Sequence, residues 1–140
     1  MKRFVLFAAA LLISQVTIGQ LSGTKAIPGD YPTIAAAIAA LNASGVGPGG
    51  VVFNVAAGHT ETFPSPTAGL ITATGTASNQ IVFQKSGSGV NPLITGGLIT
   101  TISSADGIIV IAGGDYITFD HIDLQENPGN SGTSLHEWGY

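Results

Sequence analysis

Residues 113–125, GGDYITFDHIDLQ, carry the pattern that decides between the possible folds. The first apolar pair, Ile117 and Phe119, alternates as in a strand with one buried face, but the next pair is Ile122 and Leu124. Side chains of a straight strand alternate between its two faces, so this shift of one residue would turn the second pair outward. Either the strand contains a bulge between the two pairs, or the chain changes direction there.

The joint between the two pairs, Asp120–His121, favours a change of direction. Tight hairpins between antiparallel strands use residues that accept positive φ, such as Asn-Gly, and this joint contains no glycine. A bend between two sides of a coiled chain keeps both pairs inward, and Ile109 with Ile111 forms a third inward pair. We therefore interpret the segment as most of one turn of a parallel solenoid, with a bulge in a sandwich strand as the alternative.

One segment has helical periodicity. Residues Asp30–Ser44 place Ile34, Ile38 and Leu41 at positions i, i+4 and i+7, and Pro32 suits a first helical turn. Beyond this helix the apolar runs are short and are separated by turns rich in the chain's 20 glycines and 7 prolines. No second helix is available for classical βαβ crossovers, which leaves an antiparallel sandwich or a parallel solenoid.

The first residues have the layout of a secretory signal peptide. A basic start, Met1–Arg3, precedes the apolar run Phe4–Ile13 and a polar stretch, Ser14–Gly19, that ends in a small residue. The apolar run is too short to span a bilayer, which takes roughly 20 apolar residues. We predict a signal peptide at 1–19, a mature chain of 20–140 without a membrane span, and a secreted or cell-surface location.

Charge and cysteine content exclude several classes of partner. The whole chain has a formal net charge of −4, and after loss of 1–19 only Lys25 and Lys85 face eight acidic residues, a formal charge of −6. No basic patch remains for phosphates, so a nucleic-acid partner is not expected. The chain has no cysteine, so disulfides and thiolate metal sites are excluded.

Two segments resemble the opening of the pectin-lyase-like right-handed parallel β-helix superfamily. Residues 27–45, IPGDYPTIAAAIAALNASG, followed by residues 49–61, GGVVFNVAAGHTE, are similar to the N-terminal parts of large secreted bacterial β-helix proteins and, more distantly, to pectin methylesterase openings. The stretch 113–125 is similar to the repeated coil of that superfamily. The resemblance spans residues 24–126 and implies an all-β solenoid, a right-handed parallel β-helix with one short N-terminal capping α-helix.

The resemblance also gives expectations for the two ends of the solenoid. The helix would plug the N-terminal opening, as caps do in natural solenoids. Residues Asn127–Tyr140 contain no second amphipathic helix. We therefore expect 20–140 to be the cap and first coils of a domain that is incomplete at its C-terminus, with Ile122 and Leu124 uncovered. That end would receive further coils of a longer chain or self-associate.

The resemblance implies which residues the chain would need if it were an enzyme of this superfamily. Their mechanisms use a carboxylate pair with an arginine, or a calcium cluster with an arginine base, and the only arginine here is Arg3. The spacing from Gly58 to Glu61 is shorter than in the esterases, and His59 stands where these openings often have tyrosine, so no esterase role is assigned to Glu61. We assign no catalytic residue and no cofactor.

Acidic and histidine side chains are the remaining candidates for chemistry. Calcium needs six to eight oxygen ligands, and the densest acidic group is Asp115, Asp120, Asp123 and Glu126. Strand parity turns Asp120 and Asp123 outward, so we interpret them as solvated corner residues and assign no metal site. The three histidines have no serine or cysteine partner at a recognisable motif, and we predict surface or corner positions for His59, His121 and His136.

Sugar contact is the remaining specific possibility. An outward stripe with one aromatic residue would contain Tyr116, Thr118, Asp120, Asp123 and Gln125. We take Tyr116, Asp120, Asp123 and Gln125 as the candidate contacts to an extracellular polysaccharide. The expected function is an exported structural or carbohydrate-contacting surface module without catalysis. The alternative is the N-terminal portion of a polysaccharide lyase or carbohydrate esterase whose active site lies beyond residue 140.

Overall fold

The structure, a computed structural model, describes residues 19–99, 107–136 and 139–140. The predicted signal peptide, apart from Gly19, lies outside the described residues. The described chain forms one helix, α1 (Ile34–Ser44), and nine strands. The strands are β1 (Leu21–Ile27), β2 (Val46–Ala56), β3 (Thr60–Thr62), β4 (Leu70–Ile71), β5 (Ile81–Ser86), β6 (Leu93–Thr95), β7 (Val110–Ile111), β8 (Ile117–Asp120) and β9 (Asp123–Gln125).

The nine strands form three sheets, and all neighbouring strands in these sheets are parallel. The first sheet has the order β1-β2-β5-β8, the second β3-β6-β9 and the third β4-β7. From β2 onward the chain enters the first, second and third sheets in turn, and then repeats that order. The described part is thus mostly strand in parallel sheets with one short helix, and the antiparallel sandwich is excluded.

The change of direction at Asp120–His121 is confirmed. β8 ends at Asp120 and belongs to the first sheet, whereas β9 belongs to the second, so the two apolar pairs do not share a bulged strand. His121 makes the turn with a φ of 54°, a left-handed conformation that is uncommon outside glycine but tolerated by histidine. Ile122 is buried after the turn, only 6% exposed.

One of the expected inward residues points elsewhere. Ile109 is buried as predicted, but Ile111 is 43% exposed, and the prediction for Ile111 is wrong. It lies on β7, which is the last strand of the third sheet in the described part of the chain, and its in-register neighbour Ile71 is fully buried. Ile108, beside Ile109, is buried in the core instead.

A stack of aromatic rings runs through the core beneath the first sheet. Phe53, Phe83 and Phe119 are in register on neighbouring strands, and their ring centroids lie 4.4 and 4.9 Å apart. Tyr31 packs against one end of the stack at 5.9 Å and Tyr140 against the other at 5.4 Å. Parallel in-register pairing makes this stack possible because equivalent side chains of successive strands point to the same face.

The helix begins later than the sequence predicts. We expected it over Asp30–Ser44, but it begins at Ile34, because Thr33 is extended and acts as the N-cap. The Thr33 hydroxyl oxygen accepts a hydrogen bond from the backbone N–H of Ala36 at 3.1 Å. This side chain supplies an acceptor to one of the N–H groups that have no partner in the first turn of the helix. Pro32 therefore precedes the cap and is not in the first turn.

The apolar face of the helix is confirmed. Ile34, Ile38 and Leu41 are buried, together with Ala37, and they belong to the same core as the sheets. Gly45 ends the helix with a φ of 68°, and its N–H donates to the Leu41 carbonyl at 2.7 Å. In the described part of the chain no helix is long and apolar enough to cross a membrane.

Candidate functional site

The predicted sugar-contact residues lie at the surface but on two different sheets. Tyr116 directly precedes β8 and is 53% exposed, and Asp120 ends the same strand. Asp123 and Gln125 are the first and last residues of β9 in the second sheet, and both are exposed. The turn at His121 separates the two groups, so the residues do not form one continuous stripe.

Asp120 continues a row of outward side chains across the first sheet. Asp120 is in register with Gln84 of β5, which is in register with Asn54 of β2. The side-chain amide of Gln84 donates to the Asn54 side-chain oxygen at 2.9 Å, and this hydrogen bond fixes the relative orientation of the two amide groups. Sequence reasoning missed Asn54 and Gln84, because only the register between distant strands places them beside Asp120.

A second outward row of the first sheet lies between this amide row and Tyr116. It consists of small and β-branched side chains, Thr24, Val52, Val82 and Thr118, in register on four strands. We define the outer face as the two rows Asn54–Gln84–Asp120 and Val52–Val82–Thr118, together with Tyr116. It combines short side chains with a line of amide and carboxylate groups.

Tyr116 has an unusual backbone conformation at the edge of the outer face. Its φ is 55°, a left-handed value that is a genuine outlier for a bulky residue. The Tyr116 carbonyl accepts the N–H of Ile81 at 3.0 Å, so sheet pairing holds the residue in this conformation. Such outliers concentrate at functional sites, since the surrounding structure must offset their cost.

The second group is tied to a loop between β5 and β6. Asn91 donates from its side-chain amide to Asp123 at 3.0 Å and accepts from the Lys85 ammonium at 2.9 Å. The same ammonium donates to the Gly89 carbonyl at 3.3 Å. Lys85 is thus held by local oxygen acceptors, and Asp123 already has a partner.

Glu61, which was given no esterase role, binds the start of the helix. Its carboxylate accepts the backbone N–H groups of Ile34 and Ala35 at 2.6 and 3.0 Å. Together with the Thr33 cap it satisfies donors that have no partner inside the helix, and its negative charge lies at the positive end of the helix dipole.

His59 was predicted at a surface or corner position; it does lie in the corner between β2 and β3, but its side chain is not at the surface. Its Nε2 atom lies 3.0 Å from a carboxylate oxygen of Glu61, and both side chains are almost fully buried. A buried carboxylate needs hydrogen-bond donors, and the histidine provides one that the local sequence pattern does not reveal. This His–Glu pair contacts the helix N-terminus through Glu61 and does not belong to the outer face.

His136 is also buried, contrary to the prediction. Its side chain is 1% exposed, its Nδ1 atom lies 3.2 Å from Glu126, and its backbone N–H donates to the same carboxylate at 3.0 Å. Burial opposes the charged form of Glu126, but hydrogen bonds from Asn130 and His136 and the charge of His136 lower the pKa of Glu126 below its ordinary value of 4.5. His121, in contrast, is exposed as predicted.

The last residues lie against the final strands. The Tyr140 hydroxyl donates to the Ile122 carbonyl at 2.8 Å, and the Gly139 carbonyl accepts the N–H of Ile109 at 3.0 Å. The expectation that Ile122 lies uncovered is therefore wrong. Burial, together with the negative charge of Asp123, raises the pKa of the Tyr140 hydroxyl above its ordinary value of 10.

The described surface offers hydrogen-bonding side chains and the exposed aromatic residues Tyr116 and Tyr140. Residues 19–99, 107–136 and 139–140 contain no group of three or more histidine and acidic side chains that could hold a metal ion. The two His–Glu pairs, of which Glu126 is partly exposed, contact the helix N-terminus and the C-terminal segment. Comparisons of the chain with protein-family models, with curated proteins and with solved structures find no match.

Proposed function

We propose that the chain is an exported, right-handed parallel β-helix of the pectin-lyase-like type that contacts an extracellular polysaccharide without acting on it chemically. Two observations favour a helical path of the chain. The strands enter three parallel sheets in a repeating order, and equivalent phenylalanines stack in the core. Crossovers between parallel strands are right-handed in about 98% of cases, which favours that hand.

The observation that carries the functional proposal is the alignment of outward side chains on the first sheet. Asn54, Gln84 and Asp120 form a row across three strands, and Tyr116, which is 53% exposed, directly precedes the last of these strands. Flat rows of amides and carboxylates beside an aromatic ring offer hydrogen bonds and a stacking surface to a chain of sugars. An extended polymer can touch several strands at once.

The same side chains favour binding over catalysis. Two histidines, His59 and His136, have largely buried side chains and hydrogen-bond to the carboxylates of Glu61 and Glu126. The exposed pair of His121 and Asp120, 2.6 Å apart, has no arginine beside it in the described residues, which contain none. We infer from the basic and apolar start of the chain that the protein reaches the cell exterior.

Affinity electrophoresis of the purified protein through gels containing soluble polysaccharides tests the proposal. We expect at least one polysaccharide to retard the protein, and Tyr116→Ala to abolish the retardation while leaving the circular dichroism spectrum unchanged. Val90→Ala, at a loop residue that is 74% exposed, is the matched control and should migrate like the wild type. Migration unaffected by every polysaccharide, or unchanged in Tyr116→Ala, would contradict sugar binding by this face.

A further inference from the structure

We infer that the polymer bound by the outer face is an uncharged polysaccharide, lying across the strands along the row Asn54–Gln84–Asp120. This inference rests on the proposed function and adds the chemical class and the direction of the ligand. It differs from the acidic polysaccharides that the family resemblance alone would suggest. The charges, the hydrogen-bonding groups and the strand spacing each support it.

No lysine or arginine is available on the outer face to neutralise an anionic polymer. Residues 19–140 contain two lysines and no arginine. Lys25 is in register with Phe53, and Lys85 with Val55, whose side chains are fully buried, so both lysines belong to the core-facing rows. The Lys85 ammonium is also bound to Asn91 and Gly89.

The charges that do reach this end of the first sheet are negative. Asp115, Asp120 and Asp123 are all exposed around β8 and the start of β9. The one basic group among them, His121, lies 2.6 Å from the Asp120 carboxylate and is paired with it. A polymer with a carboxylate or sulfate on each sugar would be repelled by this surface, since like charges near a protein surface disfavour encounter and binding.

The row itself matches hydroxyl groups. A side-chain amide carries two donors and an acceptor, and a sugar hydroxyl is both donor and acceptor. The bond between Gln84 and Asn54 uses one N–H of Gln84 and the oxygen of Asn54. It leaves the Gln84 oxygen, its second N–H and the Asn54 amide group for a ligand, while Asp120 offers acceptors at the end of the row.

The spacing of the row sets the direction of the polymer. Neighbouring strands lie about 4.8 Å apart, which is close to the length of one sugar unit in an extended chain. A polymer perpendicular to the strands would thus meet one polar side chain for each sugar, in the order Asn54, Gln84, Asp120. The row of Val52, Val82 and Thr118 beside it is low enough for sugar rings to approach, and Tyr116 supplies an aromatic edge.

Binding of the purified full-length secreted product to three soluble polymers tests the inference. The probes are xyloglucan, which is uncharged, polygalacturonate, which is anionic, and chitosan, which is cationic, each measured by isothermal titration calorimetry at low and at high salt. We expect xyloglucan to bind with about the same affinity at both salt concentrations, because uncharged ligands are not screened. Polygalacturonate should show no binding.

Variants locate the ligand on the row. Gln84→Ala removes one ligand hydrogen bond and should weaken xyloglucan binding about fivefold, the equivalent of one ordinary hydrogen bond. Val90→Ala should bind like the wild type, and thermal unfolding checks that both variants are folded. Equal affinity of Gln84→Ala and wild type would overturn the placement along the row.

The possible outcomes distinguish a failure of this inference from a failure of the proposed carbohydrate-binding function. Two results would show that the ligand is not an uncharged polysaccharide, although the protein would still bind carbohydrate. One is tighter binding of polygalacturonate than of xyloglucan. The other is binding of chitosan that disappears at high salt, together with no binding of xyloglucan. Absence of binding to all three polymers and to the wider gel panel would overturn the proposed function and this inference together.

Discussion

The carboxylate of Glu61 accepts a hydrogen bond from the backbone N–H of Ile34 at 2.6 Å, although 27 residues separate the two positions. Glu61 lies on β3 of the second sheet and Ile34 is the first residue of the helix. One buried side chain therefore joins the helix to a sheet formed much later in the chain, and His59 supports it from the other side.

Removal of this carboxylate is expected to destabilise the protein. Glu61→Ala leaves the N–H groups of Ile34 and Ala35 without their acceptor and should lower the free energy of unfolding by about 1–3 kcal/mol. Glu61→Gln keeps an acceptor but loses the charge at the helix N-terminus, so its loss should be smaller. Urea unfolding measures both. Asp115→Ala, at an exposed acid, is the control, and an equal loss in that variant would contradict the specific role of Glu61.

The phenylalanine stack predicts a large effect of truncation at its centre. Phe83 is fully buried between Phe53 and Phe119, so Phe83→Ala should lower the free energy of unfolding by about 3–5 kcal/mol through lost burial and a cavity. Phe83→Leu keeps an apolar side chain and should cost less. Chemical denaturation distinguishes the variants, and a loss below about 1 kcal/mol in Phe83→Ala would show that the stack contributes little.

Asn42 links the end of the helix to the third sheet. Its amide donates to the Leu70 carbonyl at 2.7 Å, and its oxygen accepts the N–H groups of Thr72 and Ala73 at 2.9 and 3.3 Å. Asn42→Ala should cost about 1–3 kcal/mol, because these backbone groups lose their partner. Ala43→Ser, at an exposed position of the same helix, should change stability little. Thermal unfolding curves that coincide for wild type and Asn42→Ala would refute this link.

Glu126 gives a pH dependence with a defined sign. Its pKa in the folded protein is below the ordinary 4.5, so the folded state binds fewer protons than the unfolded state in that range. The stabilisation is present above about pH 4.5 and is lost as the pH falls through the lower, folded pKa. Glu126→Gln removes this contribution, so the stability difference between wild type and variant should shrink on acidification. A difference independent of pH would contradict the hydrogen-bonded carboxylate.

Local sequence patterns determined the elements of the fold. The spacing of Ile34, Ile38 and Leu41 predicted the buried face of the only helix in the described residues, and the phase shift between Phe119 and Ile122 predicted the turn between sheets. Both are consequences of the periods of helix and strand, which neighbouring residues express by themselves. The first turn of the helix was misplaced, because the sequence alone did not show that the Thr33 hydroxyl would act as the cap.

Contacts between distant residues were decided only by the tertiary structure. The burial of His59 depends on Glu61 reaching the helix N-terminus, and the burial of His136 depends on its hydrogen bonds with Glu126. Neither position differs in local pattern from that of an exposed histidine. A polar side chain becomes buried when the fold brings it a partner that offsets its loss of water, and that partner lies outside any local sequence window.

The candidate site was likewise predicted in part from the sequence and decided in part by the tertiary structure. Strand parity alone identified Asp120 and Gln125 as outward residues, and the structure shows both exposed. The row that joins Asn54, Gln84 and Asp120 arises from the register of three strands that lie about thirty residues apart, and Gln84 bonds to Asn54 only because the strands are parallel and in register. Alternation fixes the face on which a side chain lies, whereas its neighbours on that face are fixed by strand pairing across the whole fold.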